Sequence, residues 1–110
     1  MIIDFKDIKE LKINGFKGGQ GELATRNFVD GKIKIMKSIL KPGACSGLHT
    51  HEGNCEVMYI LKGELTYHYD GKIEVAHAGQ VHYCPMGHNH YFENLTNEDV
   101  EYLAIVPEHH

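Results

Sequence analysis

Three side chains of the types that bind transition metals lie close together near the middle of the chain. His49 and His51 are separated by one residue, and Glu56 follows five positions later. Side chains on a β-strand alternate between its two faces, so on a strand both histidines point the same way, about 7 Å apart. Two imidazoles and a carboxylate on one surface have the ligand chemistry that a divalent transition metal needs.

The spacing of these residues predicts a hairpin. Residues 52–55, with the sequence Glu-Gly-Asn-Cys, are typical of a tight turn, because glycine and asparagine adopt the backbone angles that turns require. If the flanking strands pair across this turn, His51 lies opposite Glu56 and His49 lies opposite Met58. Directly opposed residues share one face of a sheet, so the three ligand candidates would meet there.

A second turn of similar composition lies at residues 86–89. The same argument predicts that Pro85 opposes His90 and that Tyr83 opposes Phe92, all on one face. His90 becomes a fourth ligand candidate. Three imidazoles and one carboxylate on strands, rather than on loops, favour a site for a single metal ion.

The segments that would position these residues read as an all-β protein. After residue 20 no helical periodicity is evident, and short apolar runs are separated by turn signals every 8–12 residues, which is typical of a sandwich or barrel. Residues 1–20 leave two alternatives open, a helical turn or a short strand. Strands are predicted at residues 23–29, 32–40, 45–51, 56–61, 65–69, 72–76, 81–85, 90–94 and 100–106.

The strand predicted at residues 32–40 is apolar on both faces. Alternation places Ile33, Ile35 and Ile39 on one face, and Met36, Ser38 and Leu40 on the other. We therefore expect the core to cover one face and a partner or a terminal segment to cover the other.

Composition excludes several classes of function. The chain has 110 residues, which favours one domain over residues 1–110, and a net charge of −4 with a single arginine, Arg26. A chain with a negative net charge and one arginine is not expected to bind nucleic acid or to clamp a phosphate between arginines. No apolar run approaches the roughly 20 residues of a membrane span. The first residues are too short and too polar for a secretory signal.

The cysteines indicate a reducing compartment. Cys45, Cys55 and Cys84 are an odd number, and without a signal they are expected as free thiols in the cytoplasm, although a bridge between Cys45 and Cys55 stays open. His109 and His110 end the chain in the manner of a purification tag and are set aside.

With these residues in place, the sequence resembles the cupin superfamily. The first cupin motif, Gly-x5-His-x-His-x4-Glu-x6-Gly, is complete within residues 43–63 as Gly43, His49, His51, Glu56 and Gly63. The second, Gly-x5-Pro-x-Gly-x2-His-x3-Asn, is complete within residues 79–94 as Gly79, Pro85, Gly87, His90 and Asn94.

The resemblance implies a double-stranded β-helix, or jelly-roll, barrel that forms homodimers. It also implies that His49, His51, Glu56 and His90 bind one divalent ion at the bottom of a pocket. These four ligands leave two positions of an octahedron open, and they do not choose among Mn, Fe, Ni, Co, Cu and Zn. The absence of thiolate ligands argues against a closed structural zinc site.

Alternation along the strands predicts six further residues near the metal: Met36, Cys45, Met58, Tyr83, Phe92 and Tyr102. Each is expected primarily to pack in the core and secondarily to contact a substrate. His88 is either a group at the pocket mouth or a solvated turn residue. His68, His77 and His82 are expected at the surface or an interface. The lysines at positions 32, 34 and 37 are expected to be solvated.

Two functions remain open. One is a metal-dependent enzyme acting on a small organic molecule, either a dioxygenase or an isomerase or lyase, in which Glu56 could serve as a base. The other is a module that uses the metal to bind a small ligand without turning it over. Fold alone does not decide between them.

Overall fold

The fold is built almost wholly from strands. A computed structural model describes residues 1–109, and the expectation for His110 lies outside the described residues. Single 3-10 turns at Phe5–Asp7 and Phe16–Gly18 are the helical segments of this part, and none is long and apolar enough to cross a membrane. The strands are β1 (Leu11–Asn14), β2 (Glu22–Val29), β3 (Ile33–Leu40), β4 (His49–Thr50), β5 (Glu56–Lys62), β6 (Glu64–Tyr69), β7 (Lys72–His77), β8 (Val81–Cys84), β9 (Asn89–Glu93) and β10 (Val100–Pro107).

The strands form two antiparallel sheets that enclose the core between them. The larger sheet has the order β1-β2-β3-β10-β5-β8, and the smaller has the order β4-β9-β6-β7. Side chains from both sheets are fully buried against one another, among them Leu40 and Met58 from the larger sheet and Tyr67 and Phe92 from the smaller. The all-β expectation is therefore confirmed, and each strand after residue 20 appears within a few residues of its predicted position, apart from the short β4.

β10 illustrates why these segments become strands. Its buried residues alternate along the sequence as Val100, Tyr102, Ala104 and Val106, while the residues between them are partly exposed. β-Branched and aromatic side chains fit such a half-buried pleated surface well. Since β10 pairs with β3 on one side and β5 on the other, it forms the centre of the larger sheet.

The predicted parity of β3 is confirmed. Leu40 is buried on the inner face and Met36 packs against the core from the same side, whereas Ile35 and Ile39 are only partly buried on the outer face. Part of that outer face lies beneath the N-terminal segment. The guanidinium of Arg26 on β2 donates hydrogen bonds to the carbonyl oxygens of Phe5 and Ile8, which holds the segment in place.

Both predicted hairpins at the ligand segments are wrong. β4 pairs with β9, so that His49 lies opposite His90, and β5 pairs with β8 and β10, so that Glu56 lies opposite Cys84. The segments predicted as hairpin turns, 52–55 and 86–89, do not reverse the chain within one sheet. Each carries it from one sheet to the other, which brings the ligand candidates together across the space between the sheets.

Candidate metal centre

Four ligand-type side chains meet between the two sheets, and we call them the inner cluster: His49, His51, Glu56 and His90. His49 and His90 face each other on β4 and β9, His51 follows β4 directly, and Glu56 begins β5 in the opposite sheet. One ligand atom from each residue lies within 4.8 Å of the others. His90 is fully buried, and the other three are at most slightly exposed.

The distances within the inner cluster fit a single ion. His90 Nε2 lies 2.9 Å from Glu56 Oε1, 2.9 Å from His49 Nε2 and 3.1 Å from His51 Nε2. Glu56 Oε1 lies 3.3 Å from His51 Nε2 and 3.9 Å from His49 Nε2. Neighbouring ligands at right angles around an ion about 2.1 Å away are about 3 Å apart, so these separations match.

Hydrogen bonding within the protein does not account for this convergence. Glu56 Oε1 is buried, and no N–H group of the described residues is aligned to donate to it. His90 Nε2 contacts the Nε2 atoms of both other imidazoles, yet each pair of ring nitrogens can share only one proton. Because a buried acceptor without a partner is costly, a cation among these atoms is the natural complement, and the donor set fits a divalent metal.

Two of the histidines are oriented by hydrogen bonds on the far side of the ring. His49 Nδ1 donates to the carbonyl oxygen of Gly47 over 2.9 Å, and His51 Nδ1 donates to Asn54 Oδ1 over 2.6 Å. A proton on Nδ1 leaves the Nε2 lone pair directed into the inner cluster, which is the tautomer that binds a metal. His90 Nδ1 is buried without a partner among residues 1–109.

The charge states suit a cation. Burial acts to raise the pKa of Glu56, but the three surrounding imidazoles outweigh it and hold that pKa well below its usual range. Burial lowers the pKa of His90. It acts in the same direction on His51, but Glu56 and Asn54 outweigh it and raise that pKa. At neutral pH the inner cluster therefore contains an ionised carboxylate and a neutral His90 imidazole.

A cavity of about 320 Å³ opens onto the inner cluster. His49, His51 and Glu56 contribute to its lining, and the apolar part of the wall comes from the second 3-10 turn and from the neighbouring strands β2, β3 and β10. The other lining residues are Phe16, Lys17, Asn27, Val29, Lys34, Met36, Thr50, Asn54 and Val106.

Lysines provide the remaining charge of this cavity. Within residues 1–109, neither Lys17 nor Lys34 has a carboxylate oxygen within 4.0 Å of its ammonium nitrogen. Glu56 is the one carboxylate among the lining residues. The rim of the cavity is thus positive, although the whole chain is negative by four charges.

Three of the expected neighbours lie beside the inner cluster. Met36 lines the main cavity and also a small cavity of about 20 Å³ behind it, which Phe92 and Tyr102 line as well. The Phe92 ring stands edge-on to the ring of His90, with centroids 5.9 Å apart. Met58, a fourth expected neighbour, lines neither cavity and is fully buried in the core, where its sulfur accepts a hydrogen bond from Tyr67 Oη.

Two expected neighbours lie elsewhere. Cys45 is half-buried and is not part of the cavity wall, because Ala44 and Ser46 point inward instead. Tyr83 is 53 % exposed on the outer side of β8, so its expected inward placement is wrong. That expectation used the wrong strand partner: β8 pairs with β5, and this pairing turns His82 and Cys84 inward. All three cysteines are free, so no bridge joins Cys45 and Cys55.

Four further histidines lie beside acids. His82 is buried, contrary to expectation; its ring stacks on Tyr67 and its Nε2 lies 2.9 Å from Glu74 Oε1. His88 lies in the turn before β9, contacts Asp70 and does not line the main cavity. We call His82–Glu74 and His88–Asp70 the outer pairs. His82 and Tyr83 line a separate, open groove of about 590 Å³ between β7 and β8. His68 pairs with Glu93, and His77 lies near Glu64.

Sequence reasoning missed both cavity lysines. Lys34 has the same parity on β3 as Met36, so the signal that placed Met36 inward also applies to Lys34. Lys17 belongs to the segment before residue 20, where the sequence shows no clear pattern. Its position depends on how that segment folds against the rest of the chain.

Comparison with known proteins gives consistent matches. The Cupin domain family, Cupin_2, matches residues 36–106. The chain is 35% identical to an oxalate-binding protein of Thermotoga maritima, over 96% of this chain and 93% of that protein. It is 32% identical to the oxalate decarboxylase OxdC of Bacillus subtilis, over 71% of this chain and 23% of that protein.

The fold agrees with these matches. A crystal structure of a predicted oxalate decarboxylase from Thermotoga maritima superposes with a TM-score of 0.90 at 33% identity, over 98% of this chain and 99% of that one. The expected jelly-roll barrel is therefore confirmed.

Proposed function

The chain belongs to the Cupin_2 family, and from that premise we propose that it binds a small dicarboxylate of the oxalate class at a divalent metal ion. His49, His51, Glu56 and His90 would hold the ion. This proposal follows the second of the two functions that the sequence leaves open, a module that binds a small ligand.

One observation carries the proposal: the cavity above the inner cluster has two lysines without acidic partners. A cation that lacks a counter-charge favours an anionic ligand, and Lys17 and Lys34 both line the cavity. With Glu56 committed to the ion, no other lining carboxylate would repel an anion.

The parts of the cavity have separable tasks. A bound divalent ion supplies open coordination positions to carboxylate oxygens. Lys17 and Lys34 neutralise charge on the ligand. The side chains of Phe16, Met36 and Val106 exclude water, which strengthens the electrostatic interactions within the cavity. A volume of about 320 Å³ lies at the lower end of the range for small-molecule cavities and admits oxalate.

The relatives support the choice of ligand. The chain is 35% identical to an oxalate-binding protein over almost its whole length. Oxalate is small, doubly charged and able to chelate, which matches both the ion and the lysines.

Calorimetry tests this proposal directly. Protein stripped with a chelator is reloaded in parallel with Mn, Fe, Ni, Co, Cu or Zn, and each form is titrated with oxalate. We expect binding by at least one loaded form and none by the stripped protein, and His51→Ala should lose both metal and oxalate. If no metal is retained, or if stripped and loaded forms behave alike, the proposal is wrong.

A second candidate is decarboxylation of the same ligand, because the chain is 32% identical to an oxalate decarboxylase over 71% of its length. This is the enzyme hypothesis in a specific form. Release of formate and carbon dioxide from oxalate by the loaded protein would support it. Glu56→Gln then asks whether Glu56 acts as a base, since a variant that keeps the metal but loses turnover would separate that role from metal binding.

We also propose a homodimer through the outer face of the larger sheet. Tyr59 and Val81 are exposed there beside the partly buried Ile35 and Ile105, and exposed apolar area of this kind marks interaction surfaces. Light scattering should give twice the mass of the chain, and Tyr59→Lys should give the single mass. The expected cytoplasmic location stays a prediction.

A further inference from the structure

We propose that Lys17 makes this site prefer dianionic ligands over monoanionic ones, with its ammonium held at the cavity by a loop of strained conformation. The proposal rests on the proposed function, because it concerns the ligand that the metal and the cavity would share. It assigns specificity to a residue that lies outside both cupin motifs.

The backbone of Lys17 is unusual. Its φ of 51° and ψ of 35° are left-handed, a conformation that costs energy for any residue with a Cβ atom. Among the described non-glycine residues, only Lys17 and Asp70 have positive φ. Asp70 precedes a glycine in a tight turn, where aspartate adopts this conformation readily. Lys17 likewise precedes a glycine, Gly18, in a turn that the Gly19 N–H closes by donating to the Phe16 carbonyl oxygen, but lysine lacks the short polar side chain that makes this conformation accessible to aspartate. Strain of this kind is concentrated at functional sites.

Tight packing against the segment before β4 holds the loop in this state. The Gly47 N–H donates to the carbonyl oxygen of Phe16 over 2.9 Å. A Cβ atom at Gly47 would lie 1.8 Å from the Lys17 carbonyl oxygen, and one at Gly19 would lie 2.1 Å from the Cys45 carbonyl oxygen. Only glycine permits these approaches, so the loop packs directly against the backbone of the segment before β4.

The same contact links the loop to the metal ligands. The carbonyl oxygen of Gly47 accepts the hydrogen bond from His49 Nδ1, while its N–H binds the loop. One residue therefore positions both a ligand of the ion and the residue next to Lys17. A ligand held by the inner cluster lies in the cavity that this loop borders.

The charge of Lys17 is available to a ligand. Its Nζ lies 5.6 Å from the centre of the Phe16 ring, which also lines the cavity, and no carboxylate of residues 1–109 lies within 4.0 Å of that nitrogen. A ligand with one carboxylate directs its charge to the ion. A second carboxylate brings a further charge that this ammonium can neutralise.

Titration of oxalate against glycolate tests the proposal. Both molecules can chelate an ion, but glycolate carries a single carboxylate. We compare the wild type, Lys17→Gln and the control Lys12→Gln, which removes the same charge from an exposed position on β1, all loaded with the same metal. Lys17→Gln should weaken oxalate binding about tenfold and glycolate binding less than threefold, and Lys12→Gln should change neither.

The outcomes separate the two proposals. If the loaded wild type does not bind oxalate, the proposed function fails. If it binds oxalate but Lys17→Gln leaves the ratio of the two affinities unchanged, the role of Lys17 fails and the proposed function stands.

Two further variants distinguish ligand binding from a structural role. Lys17→Gly removes both the charge and the strain, so it should lose the preference for oxalate while the stripped protein melts no lower than the wild type. Lys17→Arg should keep the preference. A lower melting temperature of Lys17→Gly, or a full preference for oxalate in that variant, would overturn the assignment.

Discussion

The inner cluster and the outer pairs consist of the same residue types, histidines and acids, in different arrangements. In the inner cluster three imidazoles surround one carboxylate, and Glu56 Oε1 is buried without an aligned donor. In the outer pairs each imidazole has a carboxylate of its own: Glu74 serves His82, and Asp70 serves His88. Both carboxylates of the outer pairs are partly exposed, with side-chain exposures of 53% and 37%.

The difference shows that convergence, not the number of histidines, makes a candidate metal site. A one-to-one pair satisfies its own charge, and water screens what remains. A buried three-to-one group cannot do so, because its ring nitrogens oppose one another and its carboxylate oxygen lacks a donor. Four histidines, His68, His77, His82 and His88, thus bind single acids or lie near them, whereas the three histidines of the inner cluster converge on one carboxylate in a group that could hold a metal ion.

The largest expected effect separates a histidine of the inner cluster from one of the outer pairs. His90→Gln should weaken metal binding by at least about a hundredfold, because even residues that only orient a ligand change metal affinity about 10- to 100-fold. His82→Gln, which replaces another buried imidazole, should retain the metal. Metal content by mass spectrometry and the rise in melting temperature on loading are the measurements.

Both variants lose a buried ring, so melting of the stripped proteins serves as the control. Equal losses of metal from the two variants would remove the distinction between the inner cluster and the outer pairs.

The next effect concerns the backbone that supports the inner cluster. In Gly47→Ala the new Cβ would overlap the Lys17 carbonyl oxygen, so either the loop or the segment before His49 must move, at a cost of about 2 kcal/mol or more in unfolding free energy. Gly53→Ala is the matched control in the same motif, since its Cβ would meet no atom within 4 Å. Urea denaturation measures both. Similar stability of the two variants would contradict the tight contact.

A smaller effect concerns the thiol of Cys84 on β8, the strand that carries His82 of the outer pairs and lies beside Glu56 of the inner cluster. Burial raises the pKa of the Cys84 thiol from 9.0 to about 12, and the charge of Glu56 adds to this. A folded pKa above the unfolded one means that the unfolded chain loses its proton first, so stability falls as pH rises above 9. At pH 10 the loss is about 1 kcal/mol.

Comparison with Cys84→Ala isolates this contribution. The variant lacks a thiol to ionise, so the stability gap that its cavity creates at pH 8 should narrow by about 1 kcal/mol at pH 10. A gap that does not change with pH would show that this thiol ionises as easily in the folded protein as in the unfolded chain.

The smallest effect belongs to the outer pairs. A hydrogen bond with His88, aided by the Asn89 N–H, lowers the pKa of Asp70 below 3.8. This contribution is present above pH 3.8 and is lost as pH falls through the lowered pKa. Asp70→Asn should therefore be slightly less stable than the wild type at pH 6, with a difference that shrinks below pH 4. Because Asp70 is well exposed, a large effect in chemical denaturation at pH 6 would contradict our account of the outer pairs.

Local patterns in the sequence carried much of the fold and of the candidate site. Alternation along β3 placed Met36 and Leu40 on the same face, which the structure turns toward the core, and turn residues marked the ends of the strands after residue 20. The same patterns predicted that His49, His51, Glu56 and His90 share a site, although the hairpins that were to join them do not form. These features depend on residues close together in the sequence, so they can be predicted from the sequence alone.

Only the tertiary structure decided which strands pair and which side faces inward. A glycine-rich turn has the same local sequence whether it closes a hairpin or passes from one sheet to the other. The strand partners of β4 and β8 could therefore not be predicted from the sequence. Alternation shows which residues share a face but not which face is inside. For this reason Tyr83 was expected inside and His82 at the surface, whereas the structure shows the reverse. Lys17 reaches the cavity through contacts with Gly47, thirty positions away in sequence, and no local pattern records such an approach.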